Sequence, residues 1–373
     1  PGAKPDAAEK GTIDDVLSMV RPAVRNQHAY IVDTPPDVSV KLNQNESPFD
    51  VPDVIKEELL EAYASIPFNR YPSEQPDRLR HALAAHDDVD PASIVVGNGS
   101  NELMYTFGLV FIDPGTPVVL PTPMFSLYDK VAHMYGGDVT SVPPRDDLTF
   151  DTEALLNAVR RTSAKLTILT TPNNPTGRAM PMDDVERIVA AAAPGIVVVD
   201  EAYVEFNPEG SAKHLLDTYP NVVLLRTLSK AFGLAGLRLG YLIAHPSIAS
   251  EIMKSRLPFM VDRFSEQVGL TLLGHPDLLA ERVEQMQSAT AALADALAAR
   301  DDVTVCPTAA NFVLFRPEPL HGSDLHSRLA DRGVLVRDMS SYPELDGYLR
   351  VCGGTPEENK AFLAALDGTL YHA

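Results

Sequence analysis

Two cysteines in 373 residues, Cys306 and Cys352, are too few for a disulfide framework or a multi-cysteine zinc site. No apolar run approaches the roughly 18 residues of a membrane span. Residues 1–10 are polar and lack a signal-peptide core. These absences predict a soluble, cytoplasmic protein with no membrane partner and no metal. Positive charge is also scarce: 31 Lys and Arg stand against 51 Asp and Glu, a net charge of −20. No Lys/Arg-rich block offsets that field, so nucleic acid is excluded as a partner. Internal repeats and low-complexity linkers are missing too.

What is present is ordinary globular composition, with 45% apolar and 22% charged residues. At roughly 150 residues per domain the length predicts two domains. The acidic residues are spread along the chain rather than gathered in a tail, with aspartate preferred to glutamate and arginine to lysine. Self-repelling acidic surfaces are a device of salt-adapted proteins, and adaptation to high salt is the expectation here.

Residues 1–45 read as an arm: a short amphipathic helix after Thr12 (Ile13, Val16, Leu17, Val20), then extended chain broken by prolines. Residues 46–258 alternate helical patterns with short apolar runs at 94–96, 118–120, 166–170, 196–199, 222–225 and 239–244. Asp151 or Thr152 and Asp183 mark helix starts, and Gly195 a stop. This alternation predicts an α/β fold, a mostly parallel sheet sandwiched by helices. Residues 259–373 change texture. Long helical stretches at 265–274 and 276–300 precede strands at 311–315, 334–336 and 348–352, with a final helix from Thr355. They predict a smaller α+β domain.

Ligands of parallel sheets bind beyond the carboxyl ends of the strands, which directs attention to four segments. In Gly97-Asn98-Gly99-Ser100-Asn101-Glu102 the glycines permit a sharp turn into a helix whose first N–H groups can receive an anion. In Thr171-Pro172-Asn173-Asn174-Pro175-Thr176-Gly177 two prolines and a glycine make a turn rigid enough to hold the Asn174 amide in one orientation. Asp200, directly after three valines, sits at a sheet edge, where a nearby cation would stabilise its charge. Lys230, in Arg226-Thr227-Leu228-Ser229-Lys230-Ala231-Phe232-Gly233, stands among small and apolar neighbours that lower an amine's pKa, as a Schiff-base lysine requires. Singly, each segment also reads as an ordinary turn, cap or surface residue. Together they meet the demands of pyridoxal 5'-phosphate (PLP): a carboxylate for the pyridinium, a reactive lysine and an anion-binding turn.

With Lys41-Leu42-Asn43-Gln44-Asn45-Glu46-Ser47-Pro48, Arg70-Tyr71-Pro72 and Leu349-Arg350-Val351-Cys352-Gly353-Gly354-Thr355, the chain resembles the fold-type I PLP-dependent aminotransferases along nearly its whole length. The resemblance is strongest to the histidinol-phosphate aminotransferase branch. It implies that Lys230 carries PLP covalently and moves the substrate proton, and that Asp200 keeps the pyridine nitrogen protonated. Asn174 and Tyr203 would hydrogen-bond the ring oxygen, and Phe125 would stack on the ring. Gly99, Ser100 and Asn101 would receive the cofactor phosphate, helped by Thr227, Ser229 and Arg238. The family's usual aspartate is replaced by Asn101, which leaves backbone donation intact.

The resemblance further implies a homodimer in which Tyr71 reaches the neighbouring subunit's cofactor phosphate. Arg350 would grip the acidic end of the substrate, Arg337 would serve a phosphate-bearing subsite, and the arm's Tyr30 would close over the ligand. The implied reaction is transamination between L-histidinol phosphate and 2-oxoglutarate, in histidine biosynthesis. Aromatic amino-acid transamination and threonine-phosphate decarboxylation are the alternatives. A regulatory module without turnover would need a DNA-binding domain, for which the segment before residue 46 is too short.

Overall fold

The computed structural model describes residues 12–29 and 38–370. Helices α1 (Ile13–Ser18), opened by a Thr12–Asp15 capping box, and α2 (Pro22–Arg25) come first. A short strand β1 (Val40–Lys41) and helices α3 (Asp53–Ala64) and α4 (Asp77–Asp87) follow. The alternating region runs β2 (Ile94–Asn98), α5 (Gly99–Phe111), β3 (Pro117–Pro121), α6 (Leu127–Tyr135), β4 (Asp138–Val142), α7 (Thr152–Thr162), β5 (Leu166–Thr170), α8 (Met182–Ala192), β6 (Ile196–Asp200), β7 (Val222–Thr227) and β8 (Leu239–Ala244). Helices α9 (Pro246–Lys254), α10 (Arg263–Leu273) and α11 (Pro276–Ala298) lead to β9 (Val303–Cys306), β10 (Phe312–Pro317), α12 (Gly322–Ala330), β11 (Val334–Leu335), β12 (Arg337–Asp338), β13 (Leu349–Cys352) and α13 (Pro356–Leu370). Among the described residues no helix is long and apolar enough to cross a membrane.

The seven-stranded sheet has the order β2-β8-β7-β6-β5-β3-β4. All its strands run parallel except β8, which pairs antiparallel with both β2 and β7. Its central strands are continuous Val/Leu runs because both faces are covered. On one face Val95, Val118, Ile168, Val198 and Leu225 meet Leu103 and Phe107 of α5 and Tyr128 and Val131 of α6. On the other, Val96, Val119, Leu169, Val199 and Leu224 meet α4, α7 and α8 through Leu83, Leu155 and Ile188. The sheet is therefore the predicted sandwich with one strand more. That strand, β4, reads Asp138-Val139-Thr140-Ser141-Val142 at the edge, where exposure permits polar residues and removes the apolar signal.

A second, antiparallel sheet has the order β12-β13-β10-β9, and β1 pairs in parallel with β11 through Val40↔Val334 and Lys41↔Leu335. The chain after β1 thus leaves one sheet and reaches the carboxyl edge of the other at residues 43–46. The apolar side chains Ile13, Val16 and Leu17 of α1 are exposed.

Candidate active site

Five connections meet at the carboxyl edge of the large sheet. β2 hands over to the start of α5, β3 to Phe125, β5 to Asn174, β6 ends on Asp200 and β7 leads to Ser229 and Lys230. β8 runs the other way, so its amino end lies at the same edge and the residue before it, Arg238, joins the group. A cavity of about 370 Å³ opens there. Its lining includes Ser100, Asn101, Phe125, Asn174, Asp200, Tyr203, Thr227, Ser229, Lys230 and Arg238 from this edge, with Arg337 and Arg350 from the second sheet.

Asp200 is buried; its Oδ2 accepts from the Tyr128 hydroxyl at 2.7 Å and its Oδ1 from the Ala202 amide at 2.9 Å. Both bonds favour the ionised carboxylate, but burial outweighs them and pushes its pKa up to about 6. Lys230 donates to the Gln44 carbonyl at 2.9 Å, with its ammonium 5.8 Å from the Tyr203 ring centre. Burial, followed by the positive charge of Arg350, lowers its pKa from 10.5 to about 8. The Tyr203 phenol is pushed up to about 12, again chiefly by burial, and so keeps its proton at neutral pH.

Tyr203 accepts from Asn174 Nδ2 at 3.3 Å, while the Asn174 oxygen accepts from Arg350. Arg350 also donates to the Asn43 carbonyl at 2.9 Å, lies over the Phe312 ring at 5.3 Å, and is only 7% exposed. The Asn174 amide is held at both ends, by Tyr203 and by Arg350. Phe125 is half-buried and lines the cavity, with the neighbouring Ser126 amide donating to the Tyr342 hydroxyl at 3.3 Å.

The start of α5 is built for close approach. Gly99 has φ +74°, and a side chain there would collide with the Arg238 guanidinium. Gly240 of β8 passes directly beneath; a Cβ on it would strike the Ser100 nitrogen and the Gly99 carbonyl carbon. Ser229 and the exposed Arg238 complete the ring around these N–H groups. The Thr227 hydroxyl accepts from the Ser229 amide at 3.1 Å and donates to the Leu239 carbonyl at 3.3 Å. A helix start, an arginine fork and two hydroxyls make a phosphate cradle. Together with a buried carboxylate and a depressed lysine, these groups suit PLP. Among the described residues no cluster of three or more His, Cys, Asp or Glu could hold a metal ion.

Two expected residues lie elsewhere. Tyr71 does not line this cavity; it is 78% exposed and stacks on Phe259 with ring centres 4.9 Å apart. Tyr30 falls outside the described residues. Conversely, Tyr128, Asn43, Gln44 and Asn45 touch the site without having been assigned roles from sequence. Behind it, buried Arg226 joins Asp87 and Glu201, fixing the residues next to Thr227 and Asp200; Arg226 Nε bonds Glu201 at 2.9 Å. Asn43, Gln44, Asn45 and Arg226 stand in the motifs given above and Glu201 directly follows an apolar strand, whereas Tyr128 and Asp87 lie on helices with no sequence cue.

The aminotransferase class I and II family profile matches residues 37–366. The chain belongs to this family of PLP-dependent enzymes. Within it, the chain is 39% identical over 348 residues to the histidinol-phosphate aminotransferase of Chlorobaculum tepidum, covering 93% of this chain and 99% of that one. It is 39% identical to the Chlorobium chlorochromatii enzyme of the same name, covering 93% and 95%. Among solved structures, the histidinol-phosphate aminotransferase from Sinorhizobium meliloti in complex with pyridoxal-5'-phosphate superposes with a TM-score of 0.84 at 27% identity, covering 95% of this chain and 98% of that one. The L-threonine-O-3-phosphate decarboxylase from Porphyromonas gingivalis superposes at 0.78 with 25% identity, covering 89% and 99%.

Proposed function

We propose that this chain transfers the amino group between L-histidinol phosphate and 2-oxoglutarate, as a cytoplasmic enzyme of histidine biosynthesis. The observation that carries the reading is Arg337 beside Arg350 in the wall of the cavity that holds Lys230. Two guanidinium forks suit a substrate with a phosphate at one end, and the same forks suit the carboxylates of 2-oxoglutarate and glutamate. The curated relatives named for this activity support the same reading.

PLP, when bound, supplies a conjugated ring that takes up the electron pair left at the substrate carbon. The chain's part is positioning and proton transfer. Asp200 holds the proton on the ring nitrogen, because a cation beside it relieves the cost of its buried charge. Lys230, with a pKa near 8, has a neutral fraction at physiological pH and serves as nucleophile and proton carrier. Tyr203 and Asn174 address the ring oxygen, and Phe125 covers the ring face. The amides of Gly99, Ser100 and Asn101, with Thr227, Ser229 and Arg238, hold the phosphate.

The functional unit in this proposal is a homodimer. Tyr71 stands exposed and outside its own chain's cavity, as a residue serving the neighbouring subunit must. Tyr30 is assigned to substrate contact, and the chain divides at about residues 45 and 258. Mixing inactive Lys230→Ala and Tyr71→Ala homodimers should restore partial activity, since one of the two sites in each hybrid is then intact; no recovery after verified subunit exchange rejects the shared site.

The substrate assignment is tested by adding L-histidinol phosphate, L-phenylalanine and O-phospho-L-threonine separately to the holoenzyme without a keto acid. Conversion of the cofactor to its amine form by histidinol phosphate at the lowest concentration is expected. A preference for phenylalanine makes the chain an aromatic aminotransferase. Loss of carbon dioxide from phosphothreonine makes it a decarboxylase.

A further inference from the structure

Asn45 is buried at 1% exposure and adopts φ +52°, the left-handed region. Glycine would meet that backbone requirement without strain, and asparagine is the side chain that tolerates it next best. The amide is therefore the feature that distinguishes this residue from the simpler choice. Its Nδ2 donates to the Tyr203 hydroxyl at 3.0 Å, and its carbonyl accepts from Asn311 Nδ2 at 3.2 Å. The segment is held on both sides: Leu42 accepts from the Cys352 amide at 3.0 Å, Asn43 from Arg350 and Gln44 from Lys230.

A phenol has one hydrogen to give and two lone pairs to receive. At Tyr203 both lone pairs are engaged, one by Asn45 and one by Asn174. Among the described residues no oxygen accepts the remaining hydrogen. With the two receiving directions taken, the O–H can only point into the cavity that Tyr203 lines.

We propose that Asn45 is a positioning residue that forces the Tyr203 O–H to donate toward the ring oxygen of the bound cofactor. It acts through Tyr203 and touches no reacting atom. The inference rests on the reading of Tyr203 as a cofactor contact.

A donated hydrogen bond stabilises the ring oxygen in its anionic form and lowers the pH midpoint of the holoenzyme's visible absorbance band. Asn45→Gly keeps the backbone conformation and removes the amide. Asn45→Asp replaces a donor by an acceptor that draws the Tyr203 hydrogen out of the cavity. Spectrophotometric pH titration of the holoenzyme should show an upward shift of about one pH unit for Asn45→Gly, the scale of one hydrogen bond to a charged acceptor. Asn45→Asp should shift it further. In a Tyr203→Phe background Asn45→Gly, which adds no charge, should add nothing to the shift that Tyr203→Phe itself produces. Wild-type midpoints in both Asn45 variants, or an Asn45→Gly shift that persists in full without the phenol, overturn the role of Asn45. A Tyr203→Phe enzyme that titrates like wild type instead overturns the reading of Tyr203.

Discussion

Arg337 and Arg350 are direct partners across the antiparallel β12–β13 pair, and both line one cavity. Like charges directly opposite on a sheet are destabilising. Arg350 registers this as a pKa lowered by burial and, in smaller part, by Arg337. An anion between them would reverse the sign of that arrangement. Arg337→Gln should lower kcat/KM for histidinol phosphate about tenfold to a hundredfold, the cost of one charge-assisted hydrogen bond. Activity toward phenylalanine should hold. Equal losses on both donors would place Arg337 outside a phosphate subsite.

Lys230 makes the apoprotein's stability depend on alkaline pH. The unfolded chain keeps this proton up to 10.5, the folded chain only to about 8. Between those values the unfolded state binds more protons, so stability rises with pH; below 8 the cost of the partly buried ammonium is complete. Lys230→Met apoprotein should therefore melt higher than wild type at pH 7, with the gain shrinking from pH 8 toward 10.5. Melting curves across that range check it, and a pH-independent gain contradicts it.

Asp200 titrates in the opposite sense. Its carboxyl is raised from 3.8 to about 6 by burial, so its stabilising proton is lost as pH climbs through 6, and above that the buried charge weakens the apoprotein. Asp200→Asn apoprotein should be at least as stable as wild type at pH 7.5. Turnover of the holoenzyme should fall by roughly a hundredfold or more, as for a lost preorganised charge. A destabilised but active variant would assign Asp200 to the fold instead.

Gly240 lies beneath the start of α5 and does not line the cavity. Gly240→Ala must lift the Gly99–Ser100 backbone, so PLP affinity should drop about tenfold or more while far-ultraviolet circular dichroism stays unchanged. Equilibrium titration of apoenzyme with PLP decides the point; wild-type affinity would show that the helix start tolerates displacement.

The net charge of −20 leads to one prediction about salt. Potassium chloride should keep raising the melting temperature into the multimolar range, well past the concentration at which the Debye length falls to about 3 Å. A plateau near 1 M would mean screening alone.

The apolar runs determined the layers of this protein. Strand positions such as Leu166–Thr170 and Leu239–Ala244 were legible because burial on both faces demands uninterrupted Val, Leu and Ile. The PLP motifs were legible because each chemical role restricts residue type at a strand end. β4 escaped because an edge strand needs no such run, and Arg238 precedes its strand because β8 runs antiparallel. Tertiary structure alone decided what came from distant segments. Asn45 meets Tyr203 across 158 positions, Arg350 meets Asn174 across 176, and Tyr128 meets Asp200 across 72. Local periodicity carries no information about such pairs. The first two arise only when the two sheets pack and the residue 42–46 segment is drawn between them, and the third only when α6 packs on the large sheet; burial there turns ordinary polar side chains into oriented hydrogen-bond partners with shifted pKa values.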